Sequence, residues 1–141
     1  MPTKIKQLFV NLPVRDLNRS VAFFESLGFS FDPQFTDDTA TCLILGNHIF
    51  AMLLTEERFS EFTDLEIGNA HRNTEVLLAL DVERRENVDN MVKMAVAAGG
   101  HIYAKVQDHG WMYQHSFADL DGHKWEVFAM DTNKIPSRPS A

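Results

Sequence analysis

The sequence predicts an α+β protein made of two tandem βαβββ modules, and three observations carry that prediction. One order of apolar periodicities, strand then helix then three strands, runs before residue 55 and again after residue 73. The strand-to-helix junctions Leu12-Pro13-Val14 and Leu80-Asp81-Val82 match, and each helix stops at glycine, in Leu27-Gly28-Phe29 and Ala98-Gly99-Gly100. At 141 residues the chain is long enough for two such modules to form one structural domain.

In module one, residues 1–55, the first strand covers residues 7–14. Leu8, Val10, Leu12 and Val14 share one face, and Gln7, Phe9 and Asn11 the other. Asp16 is the expected N-cap of a helix whose apolar stripe is Leu17, Val21, Phe24 and Leu27. Strands are expected over residues 29–35, 40–45 and 49–54, bounded by the turns DPQ, DD and GN. Residues 56–73, polar but bearing Phe59 and Phe62, read as a connector with a short helix and a loop, a boundary or a lid.

Module two, residues 74–130, opens with a strand over residues 75–82. A helix over residues 84–98 follows, with the stripe Val88, Met91, Val92 and Ala95, and ERREN is its solvated first turn. Strands are expected over residues 101–106, 111–118 and 123–130. Residues 131–141, TNKIPSRPSA, with the preceding Asp131, read as a disordered tail.

Twenty acidic against 13 basic residues give a formal charge of -7, with no basic stripe, which argues against a nucleic-acid partner. The single cysteine, Cys42, lies in the apolar run TCLIL and packs as a small hydrophobe. It has no partner for an intrachain disulfide, so a reducing compartment is expected. The N-terminal stretch lacks a signal-peptide core and no apolar run approaches the ~18 residues of a membrane span, which predicts a cytoplasmic protein without a membrane partner.

The stretch DLDGHKWEVF, residues 119–128, poses the sharpest chemical question. Asp121-Gly122 signals a tight turn, and the strand after it sets Glu126 among Trp125, Val127 and Phe128. A carboxylate there needs a hydrogen bond, an ion pair or a metal.

Two stretches, LPVRDLNRSVAFFESLGF and DLDGHKWEVF, resemble the opening and closing signatures of the glyoxalase, bleomycin-resistance protein and extradiol dioxygenase superfamily, the vicinal oxygen chelate proteins. The likeness covers roughly residues 5 to 130, and is nearest to small bacterial glyoxalase-like proteins described as predicted lactoylglutathione lyases. It implies curved mixed sheets around a cleft, commonly in a homodimer, which in metal-dependent members holds a divalent ion such as Zn, Ni, Fe or Mn.

The resemblance also implies four ligand positions, on the first and last strand of each module. Only Glu126 matches them; the others fall on Phe9, on Leu77, and on Phe50 or Met52. His115 and Glu75 are the candidates to complete a metal set with Glu126. Alternation along QDHGWMYQHSF brings Trp111, Tyr113, His115 and Phe117 to one face, and Trp111, Tyr113 and Phe117 with Phe9, Asn11 and Phe50 are the expected substrate-binding residues. If His115 pairs with Glu126, the two suit proton abstraction beside a carbonyl, Glu126 as base and His115 as acid or orienter.

The leading expectation is therefore a glyoxalase-like lyase or isomerase with an incomplete metal site. The alternative is a non-catalytic small-molecule or antibiotic binding protein of the bleomycin-resistance type. A third is a dimer scaffold in which Glu126 is dispensable.

Overall fold

The computed structural model describes residues 2–136, and the chain divides into two compact units, Met1–Asn69 and Ala70–Ala141. The division falls within the connector. In the first unit β1 (Leu8–Val14) is followed by α1 (Leu17–Ser26), β2 (Ser30–Asp32), β3 (Ala40–Gly46) and β4 (Ile49–Thr55). The sheet order is β1-β4-β3-β2, with β1 parallel to β4 and the other pairs antiparallel. A short helix, α2 (Glu56–Ser60), then packs on β1 and β4.

Asp16 caps α1 as expected, its carboxylate accepting from Arg19 N at 3.2 Å. The buried stripe is shifted from the expected one: Ser20, Phe23, Phe24 and Leu27 are covered, while Leu17 and Val21 are only half covered. Phe23 and Phe24 complete a core with Leu12, Val14, Leu43 and Leu53 on the helix side of the sheet. Gly28, at φ +95°, ends the helix where a Cβ would be strained. The expected strand over residues 29–35 is cut to three residues, because Pro33 begins a 3-10 turn, Pro33–Phe35, that Asp32 caps through Gln34 N.

The second unit repeats the plan as β5 (Leu77–Asp81), α3 (Arg85–Ala97), β6 (Gln107–Asp108), β7 (Met112–Ala118) and β8 (Lys124–Met130), in the order β5-β8-β7-β6. Val88, Val92 and Ala95 of α3 are buried, as are Phe117, Trp125, Val127 and Ala129 on the sheet. The expected strand over residues 101–106 does not form. Only His101 makes a bridge, to Ala118, and the edge strand is the two-residue β6. Of the predicted tail, Thr132–Lys134 form a 3-10 turn capped by Asp131, and residues 137–141 lie outside the described residues.

Candidate functional site

The turn between β7 and β8 sets the register that positions Glu126. Asp119, buried, accepts from Asp121 N at 2.9 Å and His123 N at 3.0 Å through one oxygen, and from the buried Trp125 Nε1 at 2.9 Å through the other. Burial pushes its carboxyl pKa up. Gly122 has φ +84°, and a Cβ there would stand 2.7 Å from His71 N. Lys124 Nζ donates to Gly122 O at 2.6 Å and also to Ala70 O, fastening residues 70–71 to this turn.

With that register fixed, Ala118 pairs with Lys124, Ser116 with Glu126 and Gln114 with Phe128. Glu126 points to the face away from α3, half-buried, with Gln114 and Ser116 beside it. Gln114 Nε2 donates to Glu126 Oε2 at 2.6 Å. The Ser116 hydroxyl is buried and without a hydrogen-bond partner among the described residues.

Tyr103 reaches the same area, its hydroxyl 3.5 Å from Trp125 O. Burial first, then the charge of Glu126, raises the Tyr103 pKa. The nearby Ser116 hydroxyl offsets part of that rise, without reaching hydrogen-bond geometry.

The same register corrects the expected partners of Glu126. His115 pairs with Val127 and so lies on the opposite, helix-side face, its Nδ1 accepting from Ser116 N at 2.9 Å. An acid-base pair with Glu126 is therefore not formed. Tyr113 also faces α3: its hydroxyl donates to Asp89 at 2.6 Å and Arg85 lies 4.9 Å over its ring. Phe117 is fully buried and stacks on Trp125 with centroids 6.4 Å apart, so it is core rather than ligand contact.

Trp111 precedes β7, half-buried, its carbonyl accepting from Asp131 N. The physical reason for the reversal is that the aromatic row buries against the helix, and the row of Gln114 and Ser116 is left for the other face.

Phe9, Asn11 and Phe50 do share one face, the side of the first sheet away from α1. Phe9 and Phe50 stack at 4.9 Å, with Phe35 edge-on to Phe9 at 6.2 Å. Asn11 pairs with Met52 as Ala79 pairs with Glu126, which makes Met52 the first-unit counterpart of Glu126. A groove of about 540 Å³ lies between α1 and the segment of β2 and the 3-10 turn, lined in part by Leu17, Val21, Phe29, Phe31, Glu25 and Asp37.

The residues present do not fit the divalent metal that the resemblance implies. Glu75 is exposed and precedes β5, His115 faces away from Glu126, and Phe9, Leu77 and Met52 carry no hard or imidazole donor. Among the described residues no group of three or more His, Cys, Asp or Glu is placed to hold a metal ion.

Sequence reasoning missed Gln114, Ser116 and Tyr103. Counting across the turn from Lys124 to Ala118 would have found the first two, since the register follows from the hairpin length. Tyr103 had no local signal, because its segment was read as a regular strand.

Comparison with known proteins bears on the fold. Residues 6–46 match the family model described as bleomycin resistance protein-like N-terminal. The structure is similar to a hypothetical protein from S. aureus, at 27% identity over 90% of this chain and 95% of that one, with TM-score 0.76. It is also similar to a glyoxalase/bleomycin resistance protein/dioxygenase family enzyme from Burkholderia phytofirmans, at 22% identity over 87% and 97%, TM-score 0.74.

A genomically encoded fosfomycin resistance protein from Listeria monocytogenes shares the fold at 18% identity over 98% and 97%, TM-score 0.65. A search of curated proteins by sequence found no match. The chain thus shares its fold with proteins described as glyoxalase/bleomycin resistance protein/dioxygenase family members, and its residues 6–46 carry the bleomycin resistance protein-like N-terminal pattern.

Proposed function

We propose that the protein is a small-molecule binding protein of the bleomycin-resistance type, which sequesters its ligand without transforming it. One observation carries this reading: Glu126 meets a neutral amide, Gln114, where a general acid or metal-ligand companions would stand in an enzyme. The aromatic cluster of exposed Phe9 and Phe35 with half-buried Phe50 supports ligand binding as well, since stacked rings offer apolar area at low entropic cost. The net charge of -7 suits a cationic ligand. A homodimer and a cytoplasmic location belong to the same proposal.

The second reading is a lyase or isomerase in which Glu126 acts as the sole base, favoured by the retention of a half-buried carboxylate at this strand position. Calorimetry with bleomycin, followed by mass spectrometry of the recovered drug, tests the two. Saturable binding with the drug recovered unchanged is expected. A chemical change in the drug that disappears in Glu126→Gln would establish the enzyme, and absence of binding would overturn the bleomycin-type reading.

A further inference from the structure

Resting on the binding reading, we infer that Glu126, Gln114 and Ser116 form a cradle for a primary ammonium group on the ligand. An ionised carboxylate only accepts, so the Gln114 amide must turn its nitrogen to Glu126 Oε2 and present its own oxygen outward. Among the described residues Glu126 Oε1 has no hydrogen bond. Ser116, directly opposite Glu126 in the ladder, is 3% exposed, and its Oγ has no partner among the described residues. Side chains paired across an antiparallel ladder stand side by side, so one face offers three oxygen acceptors around one negative charge.

Among the described residues no cation takes this place. Glu126 forms no ion pair among the described residues, and Lys124, two residues before it on β8, is spent on Ala70 O and Gly122 O. A half-buried carboxylate held by a neutral donor alone is incompletely compensated, and so is a buried hydroxyl without a partner. A primary ammonium has three N–H donors on one centre, which matches the three oxygens. A quaternary ammonium has none, and a carboxylate or alcohol lacks the charge or the donor count.

The test is a nuclear magnetic resonance titration of the full chain with hexylammonium, hexyltrimethylammonium and 1-hexanol, read at the Gln114 side-chain amide and the Ser116 backbone amide. Hexylammonium is expected to shift both and to bind at least about tenfold more tightly than hexyltrimethylammonium, the worth of a charge-assisted hydrogen bond. Glu126→Gln and Ser116→Ala, each with an otherwise native spectrum, should weaken it about tenfold.

Equal affinity for the two ammonium probes would overturn the cradle, and that comparison needs no variant. Unchanged binding in Ser116→Ala would overturn it too, as would displacement of hexylammonium by Mn²⁺ with line broadening at Gln114, which would mark a metal site.

The two proposals fail separately. Chemical conversion of bleomycin beside a positive hexylammonium response removes sequestration and leaves the cradle. Intact bound drug beside no hexylammonium response removes only the cradle.

Discussion

Asp119 accepts three hydrogen bonds from a buried position, two from the turn backbone and one from Trp125 Nε1, which has no access to water. Removing the carboxylate leaves the indole N–H unsatisfied in the core and releases the turn that sets the β8 register. Asp119→Ala is therefore expected to cost about 2–4 kcal/mol, measured as a lower urea midpoint with an unchanged slope. At this scale the sequence was partly readable: DLDGH announced a turn, and Glu126 announced a carboxylate in need of a partner. The partner itself, Gln114, was not readable from composition, since an amide among aromatic residues has no pattern of its own.

Among elements, β7 shows why period alone does not choose a face. Trp111, Tyr113, His115 and Phe117 alternate cleanly, but alternation says only that they share a side, and α3 decides which side is covered. The joint between α3 and the β6–β7 hairpin is a bidentate pair, Arg85 to Asp108 at 2.7 and 2.8 Å, with Gly110 N on the same carboxylate at 2.9 Å. The Arg85 guanidinium, then the Gly110 amide, holds the Asp108 carboxyl down to about 2.

A depressed carboxyl contributes stability above its unfolded value, ~3.9, and loses it as pH falls through the folded value. A carbon-detected titration should thus place the Asp108 midpoint near 2, and Arg85→Gln should move it toward ~3.9. Amide exchange in the hairpin should quicken over the same acid range. ERREN read as a solvated first turn hid this contact, because Asp108 lies 23 residues away.

For the whole molecule, strand and helix order, the repeat and both helix stops were legible, because hydrophobic period and glycine position are local signals. The connector was legible only as a polar stretch. Its ends belong to folded structure, α2 on the first sheet and residues 70–71 against Gly122, which leaves residues 61–69 between them. Phe62 and Leu65 are exposed there, at 64% and 80%. Brief chymotrypsin digestion of the native chain is expected to cut first after these residues, giving two fragments near half mass; first cuts inside β3 or β8 would contradict the division.

The matched register of Met52 and Glu126 has a design consequence as well. The backbone is written twice and the carboxylate once, so the first copy holds a vacant address for a second acidic side chain, reachable by one codon without redrawing either sheet.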